Sequence, residues 1–150
     1  MEIFRITKAR WAETLTASGF SGRWNSHGIK IIYAAASRSL ACLENLVHRG
    51  ETGHESEFRT MVIYVPDRLA VHQLFLQELP EGWELTDTLA MYRCQCLGDQ
   101  WVRNKISPVL KVPSAIIKNE FNFLLNPVHP DFDQIKIIDH EPFYFDSRLD

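Results

Sequence analysis

Apolar and polar positions run through this chain in short stretches whose period changes several times. Residues 2–6 (EIFRI) read as a short strand, and residues 8–15 as one or two helical turns. Residues 30–35 (KIIYAA) carry the β-branched and aromatic content of a strand. Leu40, Leu43, Leu46 and Val47 recur at helical spacing, which predicts a helix over residues 38–48. Ser37 would be its N-cap, and Arg49-Gly50 its end. Residues 51–57 are polar and predict a loop, and residues 58–65 predict a strand stopped by Pro66. Residues 69–79 predict a helix, with Asp67 near its start and Pro80-Glu81-Gly82 behind it. Thr86 or Asp87 is placed to cap a further helix through Met91, with Gly98 as a break. Residues 109–112 and 115–118 predict strand on either side of Pro113-Ser114, and residues 121–125, 134–138 and 143–145 predict further short strands. Strands and helices mix without a regular βαβ alternation. The expected class is therefore α+β: one domain over residues 1–150, with a mixed sheet core and flanking helices.

Composition narrows the function classes. The chain has 150 residues, 45% hydrophobic and 23% charged, with a formal net charge of −3. That is enough chain to bury a core, and no basic stripe offers itself to nucleic acid, so direct nucleic-acid binding is not expected. Cys42, Cys94 and Cys96 are an odd number without framework spacing, which points to free thiols in a reducing compartment. The N-terminus lacks an apolar signal core, and no run reaches the ~18–20 apolar residues of a membrane span. The expected location is the cytoplasm, away from membranes.

A few residues could carry chemistry. Residues 18–28 (SGFSGRWNSHG) hold three glycines and suit a tight, irregular loop. Within it, Arg23 can present its planar fork to a phosphate, or it is an exposed loop arginine beside a buried Trp24. Glu44 lies at the margin of the helical stripe, where a partly desolvated carboxylate wants a cation or a substrate. A structural ion pair, even with Arg23 itself, is the competing reading. Tyr33 alternates with Ile31 and Ala35, as a core tyrosine with a bonded hydroxyl or as a flat surface for a ring. Ser114 either satisfies a turn or holds a polar ligand group. His27, His48, His54, His72, His129 and His140 show no zinc spacing with the cysteines, and no P-loop, G-x-G-x-x-G or G-x-S-x-G run occurs, so no metal site is expected.

The order of these motifs resembles a known family. Gly22-Arg23-Trp24-Asn25, Gly28, Ile31-Ile32-Tyr33-Ala34-Ala35 and Leu40-Ala41-Cys42-Leu43-Glu44 resemble the signature half of the RES domain family. Val112-Pro113-Ser114-Ala115-Ile116-Ile117 and Asn126-Pro127-Val128-His129-Pro130 look like its other half, and Phe4-Arg5-Ile6 and residues 143–148 fit its ends. Ser21 stands where a second glycine is common, and Cys42 lies inside the signature helix. The resemblance implies a fold similar to that of ADP-ribosyltransferases and an enzyme that consumes NAD⁺ as a substrate, with no other cofactor. It implies the toxin of a bacterial toxin–antitoxin system, homodimeric within a complex with an Xre-type helix-turn-helix antitoxin. Arg23, Glu44 and Ser114 are implied as the name-giving residues and Tyr33 as a fourth, with Arg5 and Asn126 added to the site wall.

Those residue types suit cleavage of the nicotinamide–ribose bond. Nicotinamide leaves as a neutral base, so one carboxylate suffices where an ordinary glycoside calls for two. Glu44 would stabilise the oxocarbenium-like ribose, and Arg23 would clamp the pyrophosphate. Tyr33 would stack on the nicotinamide or ribose. Ser114 would bond the nicotinamide end or set the position of Glu44. The acceptor stays open between water, phosphate and a protein side chain. An ADP-ribosyltransferase acting on a cellular protein and a non-catalytic module of a repressor complex are the alternatives.

Overall fold

The structure is a computed structural model describing residues 1–49 and 57–149. The expected helix end at Gly50, most of the polar loop of residues 51–57, and His54 lie outside the described residues. The strands are β1 (Glu2–Lys8), β2 (Ile32–Ala35), β3 (Phe58–Tyr64), β4 (Val71–Gln73), β5 (Val109–Pro113), β6 (Phe121–Leu125) and β7 (Lys136–Phe143). The α-helices are α1 (Arg38–Arg49) and α2 (Thr88–Arg103). The strands form one mixed sheet in the order β4-β5-β6-β2-β1-β3-β7, an α+β arrangement in a single domain. The β4–β5 pair is parallel and the rest are antiparallel.

Period-2 alternation sorts the strand residues onto two faces. One face presents Ile3, Ile32, Ala34, Met61, Ile63, Val109, Phe123 and Leu125, covered by connecting segments that supply Ala12, Leu69 and Ile135. The other face carries both helices. Trp101, Val102 and Cys94 of α2 pack on Leu110, Val112 and Leu124, together with Trp24 and Ile31. Leu40 and Ala41 of α1 pack on Phe4, Ile6, Ala35 and Val62. Ser37 caps α1 by accepting from the Leu40 N–H at 3.1 Å, and Asp87 caps α2 by accepting from Leu89 and Ala90. Val47 lies outside the buried seam, 64% exposed, so the α1 contact is narrower than its apolar spacing predicts.

The sheet has a weak seam. β1 and β2 share one register pair, Phe4 with Ala35. Past that pair the Ile6 carbonyl accepts from the Asn45 side chain of α1 at 3.0 Å. Two half-sheets thus part between β1 and β2, with α1 bridging the opening.

Several expected elements differ. The helix expected over residues 69–79 is the edge strand β4 followed by a single 3-10 turn at Leu76–Glu78. Only Leu69 and Leu74 of that stretch are buried, five positions apart, so no helical stripe forms while the parallel edge of β5 offers backbone partners. Gly98 does not break a helix. α2 runs through it for 16 residues, because the glycine lets the helix lie against the Trp24 carbonyl. Residues 115–118 form a turn, since the Ser114 hydroxyl accepts from the N–H groups of Ile116 and Ile117 at 3.1 Å each. The strand expected at residues 134–138 and the start of that expected at residues 143–145 merge into the single long β7.

Candidate active site

Packing of Leu40 and Ala41 against the sheet turns the next residue of that stripe, Glu44, toward the ends of β5 and β6. Asn122 of β6 is paired in register with Ala35 and Val112, and so shares the helix-bearing face. Its Nδ2 donates to Glu44 Oε1 at 2.5 Å. The Ser114 hydroxyl, just past β5, donates to the same oxygen at 3.3 Å. His48, one turn along α1, has its Nε2 3.9 Å from Glu44 Oε2 and attracts it electrostatically only when protonated. The Glu44 side chain is 26% exposed. The structure brings Glu44 and Ser114 together and adds Asn122, which the sequence reading missed. The available signal was an asparagine sharing the inward face of an apolar strand with Leu124.

Among the described residues no arginine holds Glu44. Arg23 Nη1 donates to the carbonyls of Trp83 and, at 2.9 Å, Leu85, and Nη2 donates to that of Glu84 at 3.1 Å. Three of its five N–H donors are thereby spent on backbone, and its guanidinium also lies beside the Cys94 thiol. The free fork expected to clamp a pyrophosphate is a brace instead, tying the glycine loop to the segment before α2.

Tyr33 serves the same loop. Its hydroxyl donates to Asn25 Oδ1 at 2.6 Å and accepts from the Trp24 N–H at 3.1 Å. Burial pushes the phenol pKa well above its ordinary value. Asn25, 1% exposed, donates on to the carbonyls of Phe20 and Ile29 at 2.8 Å each. Gly22 is required beside them, because a Cβ there would lie 2.7 Å from the Tyr33 hydroxyl. Ser26 fastens the far end of the loop to Asp99 of α2, its N–H donating at 2.9 Å. The hydroxyl of Tyr33 is therefore fully engaged, as in the core-tyrosine reading.

The two further residues expected at the site wall separate. Asn126 is fully buried and braces the turn after β6, accepting from the Val128 N–H at 3.1 Å and donating weakly to Val102 at 3.4 Å. It presents nothing to a ligand. Arg5 points to the sheet face opposite Glu44, at the seam where β1 and β2 part. With Thr7, Thr14, Thr16 and Ser18 it lines a cavity of about 340 Å³. Burial lowers the pKa of its guanidinium, and among the described residues no hydrogen bond or ion pair engages its side chain. Arg5 is thus a desolvated cation with no partner among the described residues.

Among the described residues no three His, Cys, Asp or Glu side chains converge as metal ligands, and no helix is long and apolar enough to cross a membrane.

The model of the RES domain family matches residues 2–146. The chain belongs to the RES domain family. It is similar to the Prs ADP-ribosylating toxin of Sphingobium sp. (strain YBL2), 36% identical over 143 residues that cover 92% of this chain and 88% of the relative. It is likewise 36% identical to Toxin Res of Yersinia enterocolitica, over 99% of both chains. Its fold matches a chain in the crystal structure of the M. tuberculosis MbcT-MbcA toxin-antitoxin complex with a TM-score of 0.75, at 22% identity, covering 95% of this chain and 84% of that one.

Proposed function

We propose that this RES domain protein is the toxin of a bacterial toxin–antitoxin pair and that it cleaves the nicotinamide–ribose bond of NAD⁺. The observation that carries the reading is the Glu44 carboxylate, held by two neutral donors, Asn122 and Ser114, rather than neutralised by a cation. A carboxylate so placed keeps its negative field for a developing positive charge. Relatives along nearly the whole chain carry toxin names, one of them that of an ADP-ribosylating toxin.

In this scheme the bond from ribose C1′ to the nicotinamide nitrogen breaks, and its electron pair leaves with nicotinamide, which needs no proton. Glu44 stabilises the cationic ribose until an acceptor adds. With water the products are nicotinamide, ADP-ribose and a proton. Ser114 sets the position of Glu44. Arg23 and Tyr33 contribute by fixing the glycine loop. NAD⁺ is the substrate, and no metal or other cofactor enters. An Xre-type antitoxin silences the site in a complex built on a toxin homodimer, in the cytoplasm.

The test is incubation of the purified protein with NAD⁺ labelled in its adenylate half. Nicotinamide release with the label in a small molecule supports hydrolysis or phosphorolysis. Label on a protein band supports transfer to a side chain, the second reading, which the name of the Sphingobium relative favours. Absence of nicotinamide release overturns both and leaves a binding module.

A further inference from the structure

We propose that Asn122 is a positioning residue for the Glu44 carboxylate, a role that rests on the function proposed above. The orientation of its amide is forced. Turned over, it would set Oδ1 against a carboxylate oxygen, two acceptors in contact, so Nδ2 faces Glu44 at 2.5 Å. Oδ1 is then buried without a partner. Among the described residues two buried side-chain polar atoms lack a hydrogen bond, Asn122 Oδ1 and Asn45 Oδ1. Both belong to residues adjoining Glu44, one bonded to it and one next to it in α1. Stranded acceptors weaken a fold, and they gather here around the reactive carboxylate.

The strand argues the same way. Asparagine is disfavoured in strands, and Asn122 sits between Phe121 and Phe123 with Ala35 and Val112 as its register partners. An apolar side chain would fit that environment better. What asparagine adds is the second donor on one oxygen of Glu44. Ser114 alone supplies a longer bond, from a hydroxyl whose lone pairs already accept from Ile116 and Ile117. Together the two donors fix Oε1 and leave Oε2, which accepts no hydrogen bond from the described residues, for the ribose.

A double-mutant cycle on nicotinamide release tests this, with melting temperature measured on every protein. Asn122→Leu removes both the donor and the stranded oxygen. The expected result is a turnover lower by about tenfold or more, KM for NAD⁺ within about twofold, and a melting temperature no lower than the parent's. Added to Glu44→Gln, Asn122→Leu should lower turnover no further, because it acts only through the carboxylate. Asn122→Ala removes the donor without adding a charge beside Glu44 and carries the same comparison if the leucine variant fails to fold. Parent-like turnover in both Asn122 variants overturns the positioning role, as does multiplication of the two effects in the double variant. A parent protein that releases no nicotinamide, or a Glu44→Gln variant as active as the parent, overturns the underlying reading and this role with it.

Discussion

Gly98 lies against the backbone of Trp24 so closely that a Cβ at position 98 would sit 1.8 Å from the Trp24 carbonyl oxygen. This approach seats the glycine loop on α2. Gly98→Ala gains about 1 kcal/mol of helix propensity but forces two backbones apart, neither of which is a flexible side-chain end. The expected outcome is a net loss of about 2 kcal/mol or more, read as a fall in melting temperature of roughly 4–8 °C. An unchanged or raised value would show that the loop is free to move away.

Tyr33 holds the same loop from the other side. Tyr33→Phe keeps the ring and removes the hydroxyl, stranding Asn25 Oδ1 and the Trp24 N–H. The expected cost is about 1–3 kcal/mol of stability, with nicotinamide release well below the melting temperature retained within a few-fold. Because burial raises the phenol pKa in the folded state, the unfolded chain loses that proton first. This contribution to stability is complete below the ordinary tyrosine pKa of about 10 and is lost as pH rises past it. Melting curves of the parent and the Tyr33→Phe variant across that range should therefore converge in alkali. Curves that stay parallel would place the hydroxyl in water.

What could be read from the chain follows from how local each cause is. The α1 helix, its Ser37 cap and the Glu44–Ser114 pair rest on spacing and motif order, and the structure contains them. β4 was illegible because its backbone partner, β5, lies far along the chain and its side chains carry no clean period. Gly98 reads as a break within its own helix, and only the Trp24 carbonyl gives it a reason. Arg23 and Arg5 look alike as letters. The difference between them is whether backbone carbonyls, at residues 83–85, happen to arrive.

That difference separates the two arginines experimentally. Arg23→Lys loses the fork that reaches three carbonyls, so its melting temperature should fall while KM for NAD⁺ changes little. Arg5→Met removes a desolvated cation with no partner, so stability should hold or rise. Its KM for NAD⁺ should change little, because Arg5 opens on the sheet face opposite Glu44. Thermal melts beside steady-state kinetics decide. A Km effect confined to Arg23 would return the phosphate role to the glycine loop.

The remaining prediction concerns Glu44 alone. Gln has nearly the same shape, and its Oε1 can still accept from Asn122 and Ser114, so the local hydrogen bonds survive. No arginine is left unpaired by the change, because Arg23 is bonded to backbone and not to Glu44. Glu44→Gln should therefore keep the parent melting temperature, within the few tenths of a kcal/mol typical of a partly exposed site. What it loses is the negative charge facing the ribose as nicotinamide departs. Turnover should fall by about 10²–10³ while KM for NAD⁺ moves little, the signature of an interaction made chiefly in the transition state. Growth inhibition in cells should weaken in parallel, and capture by the antitoxin should persist, since the surface is otherwise unaltered. Melting temperature and nicotinamide release measured on one purified variant make the comparison. A variant that melts much earlier yet turns over normally would make Glu44 a structural residue and remove it from the chemistry.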